Sequence, residues 1–341
     1  MSKSKRAFLV LLVLVTALVT ACSGNSNRNN TGEARNTPAN EKKVLKVGHT
    51  LPEGNVIHQS LLVFNEELEK RTNGRYSLQI FPQATLGNED DLFQQTQVGI
   101  LDMSTIGTDL IANYSDDFYA WYLPNLMKNH QDAFAIAALP ETKKLFDSVE
   151  NIEMLGHWFS GLFYAATKEP FTKLSDIQGK KIRVKPSSAI LEWWNFLGAS
   201  PTPIPLAEVY TALETGVIDG LVTDLEIILA FSIYEITGHF TQVPEIIPTA
   251  VIINQPFWNS LSPEDQQHFR DAMKVATEFS YSVNLEREAS NLAKLKEAGG
   301  QVHEFAEKDL FEEKSKAYRE KLLNNNETIK AFYEAAVKAT R

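Results

Sequence analysis

Segments with strand spacing alternate with segments of helical spacing, and this alternation restricts the fold more than any other feature of the chain. Residues 44–49 ("VLKVGH") and 75–81 ("RYSLQIF") alternate apolar and polar positions, as strands do. Apolar residues recur at helical spacing over 57–68, a second helix is expected around 91–98, and residues 101–107 ("LDMSTIG") form the next strand. The alternation predicts an α/β fold in which helices cover a parallel sheet.

The position of a binding cleft follows from this arrangement. In parallel sheets with covering helices, ligands bind outside the carboxyl ends of the strands. We therefore expect "GHT" (48–50) and "STIGT" (104–108), at the ends of two strands, to lie beside a ligand-binding cleft.

A second α/β unit is predicted from Tyr164 onward. Residues 181–184 ("KIRV") form a strand, and the two helices after it end at Gly198 and Gly216. Residues 249–255 ("TAVIINQ") form an apolar run that could return the chain to the first sheet.

One very long helix is predicted near the end of the chain. Ser262 is its N-cap, Pro263 stands in its first turn, and no further glycine occurs before Gly299. We expect this helix to span two domains and to act as a mechanical spine. A chain of 341 residues is long enough for two domains, which we assign to residues 42–163 with 250–285 and residues 164–249 with 286–341.

The N-terminus resembles a bacterial lipoprotein signal peptide. Cations precede an apolar run over 7–19, and small residues lead to Cys22, the only cysteine of the chain. The apolar run is shorter than the roughly 20 residues that a membrane-spanning helix needs. The resemblance assigns residues 1–22 to the signal, with Cys22 carrying a lipid. Residues 23–41, rich in Asn, Ser, Thr and Gly, are then a flexible tether.

The charge of the chain argues against nucleic acid and anionic lipid as partners. The net charge is −10, and it becomes −13 once the signal with its three cations is removed. An acidic surface repels both kinds of polyanion. Attachment to the membrane is therefore expected through the lipid on Cys22.

A row of cations on the strand at 181–184 allows two interpretations. Strand alternation places Lys181, Arg183 and Lys185 on one face. This face is either a solvated surface or the place where Arg183 holds an anion in a cleft. The two lysines are expected to point toward solvent and to steer an anion toward Arg183.

Several sequence blocks, taken together, resemble one protein family. "GRYSLQIFPQATLGNEDDL" with "VGILDM", then "LSDIQGKKIRV", then "LGASPTPIPLAEVYTALETGVIDG" are similar, in this order, to the DctP-like solute-binding subunits of TRAP transporters. The resemblance implies a two-domain periplasmic-binding-protein-like α/β fold with a cleft between the domains. It also implies an extracytoplasmic protein that closes on a small organic acid and delivers it to a membrane permease, without a cofactor.

The resemblance assigns a role to Arg183, because the arginine of this block binds the ligand carboxylate in the family. Other positions depart from the family pattern. Phe163 stands where many members carry a second arginine, Thr223 replaces the usual asparagine, and Leu206 stands where an aromatic residue often lines the cleft. These departures favour a smaller or more apolar monocarboxylate over a highly hydroxylated sugar acid.

The resemblance also implies ligand contacts from the first domain. Asn88, Thr105 and Gly107 are expected there, and Gly107 offers only its backbone. His49, at the end of the first strand, is expected either to contact the ligand or to cap a turn. Ser187 can cap the helix that follows it or meet the ligand carboxylate.

Two other classes of function compete with this interpretation. For an enzyme, such as a lipid-anchored hydrolase, the seven histidines lack metal-ligand spacing, and no G-x-S-x-G or phosphate-loop motif occurs. The acidic run "GNEDD" (87–91) is interpreted as a solvated helix start, and Asp224 as a possible buried acid of the cleft. A binding protein of another uptake or sensing system would use the same closure, so the sequence leaves this alternative open.

Overall fold

The computed structural model describes residues 42–159 and 161–341, which lie in one compact unit. The predicted signal peptide, the lipid-bearing Cys22 and the predicted tether lie outside the described residues. In the part that is described, no helix has the length and apolar character needed to cross a bilayer.

The secondary structure follows the predicted alternation closely. The described residues form eleven strands: β1 (Lys43–Gly48), β2 (Tyr76–Phe81), β3 (Met103–Gly107), β4 (Ile152–Phe159), β5 (Phe163–Thr167), β6 (Lys181–Val184), β7 (Ser200–Pro203), β8 (Gly220–Asp224), β9 (His239–Gln242), β10 (Pro248–Asn254) and β11 (Gln301–His303). They also form thirteen α-helices: α1 (Val56–Arg71), α2 (Glu89–Gln97), α3 (Thr108–Ile111), α4 (His130–Ala137), α5 (Pro140–Phe146), α6 (Ser188–Phe196), α7 (Val209–Glu214), α8 (Leu225–Ala230), α9 (Tyr234–Thr237), α10 (Gln255–Ser260), α11 (Pro263–Glu297), α12 (Lys308–Asn325) and α13 (Glu327–Ala339). Short 3-10 helices cover Asp116–Tyr122, Leu174–Ile177 and Leu206–Glu208.

The first sheet has the strand order β2-β1-β3-β10-β4. Its strands β1, β2 and β3 are parallel, as the alternation predicts, but β10 runs antiparallel to both β3 and β4. The expectation of a purely parallel sheet is therefore wrong. The predicted return of the chain at 249–255 is confirmed, and it explains the difference, because β10 enters the sheet directly from the second unit rather than after a covering helix.

The second sheet has the order β11-β9-β5-β8-β6-β7. Strand β6 is parallel to β7 and β8, whereas β5 is antiparallel to β8 and β9. The chain passes from the first sheet to the second between β4 and β5 and returns between β9 and β10. These two crossings are joined by backbone hydrogen bonds, because Phe163 N donates to Glu245 O and Val243 N donates to Phe163 O. The predicted α/β fold is confirmed, and its strands form two sheets.

Helix α11 is the predicted long helix, and its 35 residues contact apolar clusters at both sheets. The Ser262 side chain accepts a hydrogen bond from Asp265 N, which caps the helix start. Phe269 packs in the cluster under the first sheet, whereas Leu295 packs under the second. The positive φ of Gly299, +91°, lets the chain leave the helix. A mechanical role for this helix stays a prediction.

The Phe269 side chain anchors α11 to the first sheet. It is fully buried and meets the rings of Phe64, Tyr76 and Trp258 edge-on. We expect Phe269→Ala to lower the free energy of unfolding by about 3–5 kcal/mol, because it leaves a cavity among these rings. The matched control is Leu285→Ala on the same helix, where the side chain is 51% exposed; its effect should stay within about 0.5 kcal/mol. Equilibrium urea unfolding measures both, and equal effects would contradict this account of the packing.

Candidate functional site

A cavity of about 820 Å³ lies between the two sheets. The first sheet and its connections contribute one wall: Thr50, Leu51, Pro52, Gln83, Ala84, Asn88, Glu89, Asp90, Thr105, Leu110, Asn113, Ile247 and Thr249. The second sheet and its connections contribute the opposite wall: Phe163, Arg183, Lys185, Pro186, Pro205, Leu206, Ala207, Thr223, Asp224, Ile227, Ala230 and Phe231. The cavity is large enough for a small-molecule ligand.

The cavity occupies the place that the parallel strands predict. Residues 50–52 follow β1, and residues 83–84 follow β2, so the carboxyl ends of both strands face it. On the opposite wall, Arg183 and Lys185 mark the carboxyl end of β6, and Thr223 lies at the end of β8. Parallel strands of both sheets therefore end at the same cavity.

Arg183 is a buried cation in the wall of the cavity. Its residue is 3% exposed, and its Nε donates a 2.8 Å hydrogen bond to the Ile204 carbonyl oxygen. Within residues 42–159 and 161–341, no carboxylate lies at ion-pair distance from its guanidinium. Burial lowers the pKa of Arg183 to about 10, against the opposing effect of nearby acidic groups, so the side chain stays charged at neutral pH.

Lys185 does not point toward solvent, and this part of the expectation is wrong. Its Nζ lies 2.9 Å from Asp109 Oδ1 and 3.0 Å from Glu89 Oε2, and it lines the cavity. Burial acts to lower the pKa of Lys185, but the charges of Asp109 and Glu89 outweigh burial and raise it. The lysine is therefore held in an ion cluster between the two sheets, whereas Lys181 is exposed, as expected.

Five other predicted ligand positions share the cavity wall with Arg183: Phe163, Thr223, Asn88, Thr105 and Leu206. The Asn88 side chain also caps α2, because its Oδ1 accepts hydrogen bonds from Asp90 N and Asp91 N. Phe163 and Leu206 contribute apolar surface, and Thr223 places a hydroxyl on the β8 side of the wall. Apolar area predominates in the wall, although about half of the residues that line it are polar or charged.

Three predicted positions are absent from the residues that line the cavity. His49 is fully buried; its Nε2 lies 2.9 Å from His58 Nδ1, and its Nδ1 accepts from Leu51 N, so it holds the turn after β1. Ser187 caps α6 and donates a 2.7 Å hydrogen bond to the Asp109 carbonyl oxygen. A Cβ on Gly107 would collide with Asp109 Oδ1 and Lys185 Nζ, so this glycine makes room for the ion pair.

Sequence reasoning missed the acidic partners of the cavity. Glu89 belongs to the run interpreted as a solvated helix start, but its carboxylate lines the cavity and accepts from Gly107 N at 3.1 Å. Asp109 directly follows the strand–helix junction after β3 and is fully buried. The available signal for Asp109 was an acid directly after a predicted strand end, whereas Glu89 lies eight residues beyond the end of β2. Asp224 does line the cavity, and its Oδ1 caps α8 by accepting from Ile227 N.

The described part of the chain offers no group of three His, Cys, Asp or Glu side chains that could hold a metal ion. Arg183 is the cation of the cavity that keeps its charge without a carboxylate partner among the described residues.

Comparisons with known proteins give a consistent result. The DctP family model, described as "Bacterial extracellular solute-binding protein, family 7", matches residues 47–326. The chain is 30% identical to a solute-binding protein of Roseobacter denitrificans, over 76% of this chain and 81% of that protein. It is 31% identical to the ectoine/5-hydroxyectoine-binding periplasmic protein UehA of Ruegeria pomeroyi, over 69% of this chain and 70% of that protein.

A solved structure extends the comparison to the fold. The crystal structure of the sugar acid binding protein DctPAm from Advenella mimigardefordensis, in complex with galactonate, superposes with a TM-score of 0.82. The two chains are 26% identical, and the match covers 88% of this chain and 99% of that one. The arrangement of two sheets and a long helix is therefore shared with this protein.

The burial of His49 predicts a specific pH dependence of stability. Burial, with a smaller contribution from His58, lowers the pKa of His49 to about 3. The unfolded chain binds a proton at this residue below about pH 6.5, whereas the folded chain does not, so stability falls as the pH drops from 6.5 toward 3. Between pH 7 and pH 5, we expect the free energy of unfolding of the His49→Asn variant to fall by about 2 kcal/mol less than that of the wild type. Urea unfolding at pH 7, 6 and 5 tests this, and parallel pH profiles would contradict it.

Proposed function

Because the chain belongs to the DctP family of bacterial extracellular solute-binding proteins, we propose that it captures a small organic acid by its carboxylate, which pairs with Arg183. It is a solute-binding component of TRAP-type transport and not an enzyme. In the proposal, the bound solute closes the cleft and is then delivered to the membrane permease.

The observation that carries this proposal is that Arg183 is buried and has no carboxylate partner among the described residues. A buried charge without a partner costs several kcal/mol, and an anion that enters the cavity would offset that cost. The guanidinium offers a planar set of donors that matches the two oxygens of a carboxylate. Its Nε is held by the Ile204 carbonyl oxygen at 2.8 Å, which orients the group before a ligand binds.

The wall around Arg183 supports an acid with an apolar body. Phe163, Leu206, Ile227 and Phe231 line the cavity from the second sheet. Such side chains cannot form hydrogen bonds with the hydroxyl groups of a sugar acid, so each buried hydroxyl would lose its bonds to water. The DctPAm protein was crystallised with galactonate. For this chain we propose a less hydroxylated monocarboxylate.

The position of the cavity supports a closure mechanism. Its walls come from two different sheets, which are joined by two chain crossings and by α11. A ligand that contacts both walls stabilises the arrangement in which they face each other, as in hinge-bending binding proteins. Membership of the family supports a TRAP-type permease as the partner that receives the solute.

Proteins of this family act outside the cytoplasm, and we propose a lipid anchor for this one. The sequence order of cations, apolar run, small residues and Cys22 supports modification of that cysteine. The polar segment at 23–41 would then let the binding domains reach the permease from the membrane surface.

Replacing Arg183 tests the proposed function directly. We first screen the protein without residues 1–22 by thermal shift against monocarboxylates, dicarboxylates, sugar acids, amino acids, and neutral and cationic solutes, because a ligand of the folded state raises its melting temperature. For the best carboxylate, we expect Arg183→Ala to weaken binding about 100-fold, through loss of a charge-assisted interaction of roughly 3 kcal/mol. Isothermal titration calorimetry measures the affinities.

The matched control is Lys181→Ala, which removes an exposed cation from the same strand. It should leave the affinity within about twofold of the wild type, because surface charges contribute little. Melting curves without ligand show whether each variant is folded. Stabilisation by neutral or cationic solutes alone, or equal affinities of Arg183→Ala and the wild type, would contradict the proposed role of Arg183.

Replacing Cys22 tests the proposed anchor. We expect the full chain to fractionate with membranes when it is produced in a bacterium that processes lipoproteins, because its lipid inserts into the bilayer. The Cys22→Ser variant cannot carry a thioether-linked lipid and should appear in the soluble extracytoplasmic fraction. Metabolic labelling with a radioactive fatty acid provides a second measurement. A Cys22→Ser protein that is still labelled and still sediments with membranes would overturn the anchor.

A further inference from the structure

Four charged side chains are grouped at one side of the cavity. Arg183 and Lys185 lie at the end of β6, whereas Glu89 starts α2 and Asp109 lies in α3. The cations come from the second sheet, and the acids come from elements that cover the first. With both acids ionised, the two positive and two negative charges cancel.

The pairing within this group is unequal. Lys185 Nζ lies 2.9 Å from Asp109 Oδ1 and 3.0 Å from Glu89 Oε2, so two carboxylates share one ammonium group. No such contact reaches Arg183 from the described residues. The cavity therefore contains two cations, of which one is available to an anionic ligand.

The geometry around Gly107 favours this pairing. A side chain at this position would collide with both Lys185 Nζ and Asp109 Oδ1. The backbone N of Gly107 also donates a 3.1 Å hydrogen bond to Glu89 Oε1, which holds this carboxylate beside the lysine. Gly107 thus leaves room for the Lys185–Asp109 ion pair, and its backbone N orients Glu89 in the Lys185–Glu89 ion pair.

We propose that Asp109 and Glu89 determine the charge specificity of the cavity by neutralising Lys185, so that the site accepts one carboxylate and rejects dicarboxylates. This inference rests on the proposed function, because it assumes that Arg183 binds the first carboxylate. Asp109 and Glu89 act through Lys185 and are positioning residues in this account.

The rejection of a second carboxylate has two physical causes. A dicarboxylate bound at Arg183 would bring its other charge into a cavity whose remaining cation is already paired. That charge would lose its water without gaining a partner, and it would also face the carboxylate of Glu89. Specificity of this kind comes from an unfavourable interaction with the wrong ligand as much as from a favourable one with the right ligand.

The test removes the acidic charges one at a time while keeping their shapes. Asp109→Asn and the double variant Asp109→Asn/Glu89→Gln keep an oxygen that can accept from Lys185, but they free its charge. The probes are two pairs of equal chain length: pentanoate with glutarate and hexanoate with adipate. We expect the affinity ratio of monocarboxylate to dicarboxylate to fall about tenfold in the single variant and about 100-fold in the double variant, since each charge contact contributes on that order.

Two further variants identify the source of the change. Adding Lys185→Met to the double variant should restore the monocarboxylate preference, because the freed cation is gone. Glu320→Gln removes one negative charge from an exposed position on α12, where the Glu320 side chain is 59% exposed. It should leave the affinity ratio unchanged, which separates the local effect from the change in net charge.

The outcomes separate this inference from the proposed function. A wild type that binds no carboxylate through Arg183 contradicts the proposed function itself. A wild type that binds pentanoate or hexanoate through Arg183, together with a folded double variant whose affinity ratio is unchanged, overturns only the role of Asp109 and Glu89. A gain in dicarboxylate affinity that survives Lys185→Met would also overturn it, because Lys185 would then not be the second cation.

Discussion

The buried charge of Arg183 is the interaction on which the rest of the site depends. Water is largely excluded from this guanidinium, and a cation in such a place is stable only if its surroundings or a ligand compensate for the lost hydration. The protein supplies one carbonyl oxygen, that of Ile204, and leaves the remaining donors toward the cavity. Both sheets contribute walls to the cavity beside this charge. In the proposed function, an anion bound there would therefore favour the approach of the two walls.

The nearby Lys185 shows how an almost identical position acquires a different role. It lies two positions after Arg183 along the chain, so strand alternation directs both side chains to one face. Lys185 lies just beyond the end of β6, and its Nζ donates to Asp109 and Glu89, whereas Arg183 Nε donates to the Ile204 carbonyl oxygen. An ammonium group suits this place because it can be shared by two carboxylates at once, while a planar guanidinium suits a single carboxylate ligand.

Much of the fold could be predicted because its signals are local. Helix α11 follows from Ser262, Pro263 and an uninterrupted helical segment, and the return of β10 follows from an apolar run. Strand direction within the sheet could not be predicted in this way. The pairing of β10 with β3 and β4 joins residues at least 89 positions apart, and no local periodicity encodes whether such a pairing is parallel or antiparallel.

The site residues also differ in whether the sequence could predict their role. Thr105 could be placed near the cleft because strand ends meet there, which is a property of the whole sheet, whereas Thr223 was placed by the family resemblance. His49 and Ser187 have chemistry that suits either a ligand or the protein itself, and tertiary neighbours decide between the two. His49 is hydrogen-bonded to His58, and Ser187 is hydrogen-bonded to the Asp109 carbonyl oxygen, so the protein itself uses these polar groups. A polar residue at a strand end therefore indicates where a cleft lies, but only its unpaired donors and acceptors indicate what the cleft binds.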